Sequence, residues 1–293
     1  MSPAPVRYKV VHETRYAYEH AVSSGRHLAH LSPRETAWQK VGSHRIELTP
    51  EATEQSWASD YFGNRTLRFT HESMHRELLV RADSEVTVSS QLTAWNPDTP
   101  WDRDATPPGT RLGDDPALAE FRLSSPHVPP LAAATEYARR SFPAGRPLLA
   151  ALHELTVRIR EDFVYDPLAT TISTPVAEVE AKRRGVCQDF AHFMLCGLRG
   201  LGLPARYMSG YIINERVPGA PVLQGADTSH AWVAAHCPVS GWIGCDPTNG
   251  KFADTEFITL SWGRDFSDVT PLRGVLLGAG THVPRVAVRI TRQ

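Results

Sequence analysis

The sequence predicts an α+β fold in which helices pack on an antiparallel sheet, preceded by a small all-β sandwich or barrel domain. Two observations support this prediction. From residue 6 to about residue 92, short segments alternate apolar and polar residues between turn signals, which is typical of half-buried strands. Between residues 131 and 201 apolar residues recur at helical spacing, and strand-like segments return from residue 205. Strands and helices therefore occupy separate parts of the chain, as in α+β proteins.

The composition argues against several functional classes. Of 293 residues 22% are charged, and 31 lysines and arginines balance 32 aspartates and glutamates to a net charge of −1. This balance gives no electrostatic basis for binding nucleic acid or a charged membrane surface. No segment approaches the ~18 consecutive apolar residues of a membrane helix, and the first seven residues lack the apolar core of a signal peptide. The four cysteines form no Cys-x-x-Cys pair and are too few for a disulfide framework, so we expect a cytoplasmic protein.

The first domain, residues 1–95, is predicted to consist of strands that carry no catalytic chemistry. A hairpin is expected to turn at Gly63 and Asn64. His71 and His75 have the spacing at which two helical residues can share a metal ion, but their surroundings indicate strand and turn, so we predict two surface histidines. Further strands are predicted at residues 6–10, 44–49, 78–80 and 86–88, the last two as a pair.

Residues 96–130 are predicted to connect this domain to a second one. Eight of the 23 prolines lie between Pro97 and Pro130, a density that opposes regular structure, so the segment is a boundary or a strap over a neighbouring surface. The second domain is expected at residues 131–255, and residues 256–293 should form strands that pack on either domain. The first helices of the second domain are predicted at residues 131–142, 147–163 and from Thr174-Pro175 to just before Gly185.

Cys187 opens the next predicted helix. It follows the break at Gly185, and Phe190, Met194 and Leu198 continue its apolar stripe at helical spacing. Free backbone N–H groups and the positive end of the helix dipole favour a thiolate in a first turn. Buried cysteines also serve as small hydrophobic residues. On this stretch alone, the roles of nucleophile and of core residue are equally open for Cys187.

A predicted hairpin supplies partners for this thiol. After a strand at residues 205–213, strands at 229–237 and 242–246 flank a turn. If the loop centres on Val239, Asp246 lies opposite Trp232 and one diagonal step from His230 on the same face, within reach of a carboxylate and an imidazole. Cys187 would then be the nucleophile, His230 the base and Asp246 the residue that orients the base.

Other assignments of these residues stay open. Asp227 and Asp189 are rival carboxylates, the first in a loop and the second in the helix of the thiol itself. A zinc site is conceivable from residue type alone but lacks the paired ligand spacing of known motifs. Its ligands would come from Cys187, His192, Cys196 and His236.

Four motifs resemble the bacterial transglutaminase-like proteins in both order and spacing. They are Gly185-Val-Cys-Gln-Asp-Phe-Ala-His192, the segment Leu201-Gly-Leu-Pro-Ala-Arg-Tyr207 with Ser209-Gly-Tyr211, then Ser229-His-Ala-Trp-Val233, and Asp246-Pro-Thr-Asn-Gly250. The resemblance covers residues 150–250 most closely, and the strand-rich N-terminal part is similar to the β domain that precedes the core in these proteins. It implies a papain-like α+β core with a Cys-His-Asp triad at Cys187, His230 and Asp246.

The resemblance implies acyl-enzyme chemistry on an amide of a peptide or protein, without a cofactor. We expect water to be the acyl acceptor. One alternative is an amine acceptor, as in protein-glutamine gamma-glutamyltransferases. A second is a non-catalytic interaction module on the same fold, although the intact triad argues against it. Ala181 stands where papain-like enzymes carry an oxyanion glutamine, and no acidic loop indicates a calcium site. Residues that are candidates to line the cleft are Tyr165, Gln188, Tyr211 and Trp232.

Overall fold

The computed structural model describes residues 3–103, 116–213 and 229–293. Its elements up to the candidate nucleophile are β1 (Val6–Val22), β2 (Ser24–Ala29), β3 (Gln39–Thr49), β4 (Glu54–Ser59), β5 (Arg65–His71), β6 (His75–Val88), α1 (Pro116–Ala119), α2 (Ala132–Arg139), α3 (Leu148–Asp162), β7 (Val164–Tyr165), α4 (Val176–Lys182) and β8 (Arg184–Gly185). They continue with α5 (Cys187–Gly200), β9 (Ala205–Ile212), β10 (His230–Cys237), β11 (Gly241–Asp246), β12 (Lys251–Phe252), β13 (Phe257–Gly263), α6 (Phe266–Val269), β14 (Leu272–Leu277) and β15 (Arg285–Arg292).

The first domain is a sandwich of two four-stranded antiparallel sheets, in the orders β15-β1-β6-β3 and β14-β2-β5-β4. Side chains alternate between buried and partly exposed along β6, the pattern of a strand with one face in a core. Apolar residues from both sheets form that core, among them Tyr18, Leu67, Phe69 and Leu78. The predicted sandwich is therefore present, and the last two strands of the chain complete both of its sheets.

The second domain packs helices against a five-stranded antiparallel sheet of order β12-β11-β10-β9-β13. Helix α5 lies on β9 and β10, and its apolar residues join those of α2 and α3 in one large core. Side chains of α5 are buried almost throughout because the helix is covered on several sides. The fold is thus α+β, as the sequence predicts.

The two domains share a third apolar cluster and are tied by polar side chains. Tyr8 and Val86 of the first sandwich sheet pack against Tyr211 and Ile258 of the second domain. Gln39, which is fully buried, donates to the carbonyl of Thr259 and accepts from its N–H, both at 2.8 Å. This pairing extends the hydrogen bonding of β13 into the first domain.

The described part of the connector lies against the second domain. Phe121 and Val128 are buried, and Arg199 of α5 donates to the carbonyl of Leu123 at 3.1 Å. The segment therefore acts as a strap over the domain where the structure describes it. None of the described helices is long and apolar enough to span a membrane.

Three local predictions for the first domain were wrong. The turn at Gly63 is present, but the hairpin, which the sequence places at residues 60–69, has β4 as its first arm. Residues 78–88 lie in one continuous strand, β6, instead of a pair. His71 and His75 lie at strand ends but are 0% and 9% exposed. They tolerate burial because each ring donates to a backbone carbonyl, that of Pro50 at 2.9 Å and that of Ser73 at 2.8 Å.

Candidate active site

Cys187 occupies the first turn of α5, directly after the N-cap residue Val186. It is partly exposed, whereas the other three cysteines are buried, and all four are free thiols. The first N–H groups of a helix have no partner within it, and the dipole is positive there. The thiol therefore lies where a negative charge on sulfur is stabilised.

Asp189 fixes the start of this helix. Its Oδ2 accepts from the N–H of Val186 at 2.8 Å and from the hydroxyl of Thr170 at 2.6 Å. An ideal Cβ on Gly185 would lie 2.6 Å from the same oxygen, so only glycine leaves room for this carboxylate. Asp189 is thus a helix cap that positions Cys187, and the hydrogen bond to the His230 ring comes from Asp246 instead.

The hairpin that carries the other two predicted residues has the expected register. Val233 lies opposite Cys245 and Cys237 opposite Gly241, so the three-residue loop centres on Val239. Gly241 has a φ of 71°, as expected after a three-residue hairpin loop. One step beyond the Val233–Cys245 pair, Asp246 lies opposite Trp232. Asp246 is therefore diagonal to His230, on the same face of the sheet.

His230 and Asp246 form a buried hydrogen-bonded pair. Nε2 of the imidazole lies 2.8 Å from Oδ2 of the carboxylate, and both side chains are 0% exposed. Further donors converge on the carboxylate: the N–H groups of Thr248 and Asn249 at 2.9 and 3.3 Å, and the amide of Asn249 at 2.7 Å. Burial of the carboxylate is therefore compensated by hydrogen bonds.

Asn249 was not singled out as a site residue from the sequence. The signal was present, because Asn249 lies within the Asp-Pro-Thr-Asn-Gly motif that follows the strand. A turn that begins with aspartate folds its own N–H groups back onto the carboxylate. The asparagine amide adds a donor that holds Oδ2 in line with the imidazole.

The two nitrogens of the His230 imidazole have different surroundings. Burial lowers the pKa of His230, but the Asp246 carboxylate and then Cys187 outweigh burial and raise the pKa to about 10. Nε2 is engaged by Asp246, and Nδ1 is buried without another partner. Nδ1 is therefore the nitrogen that remains for a further partner, and the raised pKa of His230 favours the protonated imidazolium beside the Asp246 carboxylate.

The four candidate cleft residues have different surroundings. Tyr165 is partly buried, and its pKa is raised first by burial and then by Cys187, so its ring lies near the thiol. Gln188 is partly exposed in the first turn of α5. Trp232 is 2% exposed and its ring stacks on the imidazole of His230 with centroids 6.2 Å apart.

Tyr211 does not line the cleft, contrary to the prediction. It is 1% exposed, belongs to the cluster between the two domains, and its hydroxyl lies 2.9 Å from Nδ1 of His12. The sequence could not show this because β9 is buried on both faces. Alternation alone does not tell which face of such a strand meets the other domain.

The remaining sequence candidates take no part in the site as described. Ala181 is exposed on α4, and Asp227 lies outside the described residues. No group of three metal-ligating side chains occurs within residues 3–103, 116–213 and 229–293. His192 stacks on His127 with centroids 5.1 Å apart, and the thiol of Cys196 donates to the carbonyl of Pro129.

Comparisons with known proteins identify the family of the chain. Residues 8–87 match the bacterial transglutaminase-like N-terminal region, and residues 136–247 match the transglutaminase-like superfamily. The chain belongs to the transglutaminase-like superfamily. An uncharacterised relative from Mycobacterium tuberculosis is 38% identical over 280 residues, which cover 92% of this chain and 87% of that protein.

Two other superfamily comparisons bear on fold and chemistry. The crystal structure of a proposed cysteine protease from Cytophaga hutchinsonii matches with a TM-score of 0.77 at 19% identity, covering 100% of this chain and 92% of that one; this likeness shows a shared fold. A protein-glutamine gamma-glutamyltransferase of Pseudomonas aeruginosa is 32% identical over 102 residues, which cover 32% of this chain and 15% of that protein.

Proposed function

We propose that Cys187 forms a thioester with the acyl group of an amide, either a peptide bond or a glutamine side chain, and that water then accepts the acyl group. The observation that carries this proposal is the buried His230–Asp246 pair. Its 2.8 Å hydrogen bond occupies Nε2 and leaves Nδ1 for a thiol at the start of a helix. A nucleophile, a base and an orienting carboxylate together are the elements of a catalytic triad.

Each residue has a defined role in the two steps. In acylation the sulfur of Cys187 bonds to the carbonyl carbon, the C–N bond breaks, and the His230 imidazolium gives its proton to the leaving amine. In deacylation His230 accepts a proton from water, which attacks the thioester, and the C–S bond breaks to release a carboxylic acid and the thiolate. Asp246 holds the ring orientation throughout.

Backbone donors are available for the negative charge that develops on the carbonyl oxygen. The N–H groups of Cys187 and Gln188 open α5 and have no partner within the helix. Donors fixed before the reaction stabilise an oxyanion without reorganisation. Tyr165 adds a hydroxyl near the sulfur, and because burial raises its pKa this hydroxyl stays protonated.

An amine acceptor is the second candidate, because the Pseudomonas aeruginosa relative is named as a protein-glutamine gamma-glutamyltransferase. In the described part of the chain, two carboxylates in the segments that flank Cys187 already have partners and so offer little to attract a cationic amine. Asp189 is engaged by Val186 and Thr170, and Asp166 pairs with Arg184 at 3.3 Å. Water is therefore the expected acceptor.

Product partition distinguishes the two acceptors. With a reactive amide or ester as acyl donor, the ratio of acid to amide product is measured while a primary amine is added at fixed pH. We expect millimolar amine to divert a minor fraction of turnover. An amide fraction that rises at low amine concentration and saturates would show a second-substrate site and a transferase. Absence of turnover with every donor would favour a non-catalytic module.

A further inference from the structure

Arg206 is a cation buried at the boundary between the two domains. The residue is 4% exposed. Its guanidinium carbon lies 3.7 Å from the ring centre of Trp262 and 4.2 Å from that of Trp242. The two indoles therefore sandwich the charge, and cation–π attraction compensates part of the cost of burying it.

No carboxylate compensates this charge within the described residues. Nε of Arg206 is buried and donates to no acceptor. Burial lowers the pKa of Arg206 well below its ordinary value, and the charge that adds to this effect is another cation, Arg34, which stacks on the same Trp262 ring at 3.5 Å. Because a guanidinium stays protonated in proteins, the positive charge persists and requires an anion or strong acceptors.

Arg206 also lines a small cavity. Its volume is about 10 Å³, which gives room for about one water-sized particle. Besides Arg206, its lining includes the indoles of Trp38, Trp232 and Trp242 and the side chain of Gln91, and no carboxylate. Indole and guanidinium N–H groups only donate. The lining therefore carries a net positive charge and includes several side chains that can donate a hydrogen bond.

We propose that this cavity binds one small inorganic anion of the halide class, such as chloride, against the guanidinium of Arg206. A water molecule would fill the same space but would leave the charge uncompensated. A halide neutralises the charge and accepts from several donors without a fixed direction. Polyatomic anions such as sulfate or a carboxylate exceed the volume, whereas the flexible Met208 side chain in the lining can adapt to an ion slightly larger than water.

The position of the cavity predicts two consequences of binding. Trp38 and Gln91 come from the first domain and Arg206 and Trp232 from the second, so the anion would join the domains. An anion that binds only the folded protein raises its stability with concentration. Trp232 also stacks on His230, so occupancy would restrain the ring behind the candidate base.

Thermal unfolding in different sodium salts tests the proposal. The Tm of the full chain is measured at constant ionic strength while gluconate, which is too large for the cavity, is replaced by chloride or bromide. We expect Tm to rise progressively and to saturate with either halide. Equal Tm values in all three salts would show that the cavity holds no halide.

Variants separate the site from general salt effects. Arg206→Met should abolish the dependence of Tm on halide, and a dependence that persists in this variant would overturn the proposal. Arg65→Met is the matched control, because Arg65 also stacks on an indole, that of Trp57 at 4.2 Å, but does not line the cavity; its halide dependence should remain. Should Arg206→Met fail to fold, crystals of the natural sequence in bromide decide: an anomalous peak within hydrogen-bond distance of the guanidinium supports the site, and none contradicts it.

Discussion

At the scale of single residues, the carboxylate of Asp246 determines the geometry of the candidate site. Both oxygens accept hydrogen bonds, and Oδ2 accepts from the imidazole of His230 and the amide of Asn249. The sequence predicted His230 and Asp246 because a hairpin register can be counted. It did not single out Asn249, because the contact depends on how the turn after β11 folds back.

Substitution of Asn249 tests its role as a positioning residue. Asn249→Ala removes a hydrogen bond to a charged group, which contributes about 1.5–3 kcal/mol, so we expect turnover to fall roughly 10- to 100-fold. Thr248→Ala is the matched control, since its hydroxyl has no hydrogen-bond partner and its backbone N–H is retained. Similar kcat values for the two variants would contradict the role assigned to the asparagine amide.

Cys187 should be the thiol that reacts first with an alkylating reagent. It is the partly exposed cysteine, whereas Cys196, Cys237 and Cys245 are 3%, 1% and 0% exposed, respectively. Burial raises the pKa of Cys196 to about 12 and that of Cys245 further, which keeps both protonated. Limited iodoacetamide treatment of native protein at about pH 6, followed by peptide mass spectrometry, should find the label on Cys187. Earlier labelling of a buried cysteine would contradict the assignment.

The raised pKa of His230 predicts a pH dependence of both stability and activity. Burial lowers this pKa, but Asp246 and Cys187 raise it from 6.5 to about 10 in the folded protein. The protonated ring therefore stabilises the fold fully below pH 6.5, and this contribution is lost as pH rises through about 10. The alkaline limb of kcat/KM should lie in the same range, because deprotonation removes the general acid.

Asp246→Asn provides the comparison for this pH dependence. Without the carboxylate the pKa of His230 should fall, so urea unfolding should lose its dependence on pH above neutrality and the alkaline limb should move to lower pH. Turnover should also fall by several orders of magnitude, as in other triads that lose the orienting carboxylate. An alkaline limb in the same place in both proteins would show that His230 is not the titrating group.

At the scale of elements, the sequence predicted the start of a helix and the register of a hairpin, because both depend on residues that are close together in the chain. Helix α5 begins at Cys187 as expected, because Gly185 and Asp189 set its start, and the three-residue loop at Val239 sets the register of β10 and β11. The burial of His71 and the surroundings of Tyr211 were not predictable, because both depend on elements distant in sequence. Packing between such elements leaves no periodic signal in either strand.

Gln39 tests the hydrogen bonds that join the domains. Gln39→Ala would leave the N–H and the carbonyl of Thr259 without their side-chain partner at a buried boundary, at a cost of about 1–3 kcal/mol for each group left unpaired. The free energy of unfolding from urea titration should fall accordingly. Gln55→Ala, on the exposed strand β4, is the control and should change it by less than about 0.5 kcal/mol. Equal effects would show that the amide does not hold the boundary.

At the scale of the whole molecule, the C-terminal strands pair with strands from the beginning of the chain. After β13 joins the sheet of the second domain, β14 pairs with β2 and β15 with β1, so the C-terminal strands complete both sheets of the first domain. Strands from residues 256–293 therefore belong to the two sheets of the first domain. The sequence predicted strands at residues 256–293 but not the strands with which they pair, because pairing between strands that are distant in sequence depends on the whole fold.

The central claim is that Cys187 carries the acyl group during turnover, with His230 and Asp246 as its partners. The most direct test is intact-protein mass spectrometry after brief incubation with a reactive amide or ester donor, followed by peptide mapping. We predict a mass increase equal to the acyl group, located on Cys187, which decays as product forms and is absent in Cys187→Ala. Turnover that persists in Cys187→Ala, or an acyl group located on another residue, would contradict the claim.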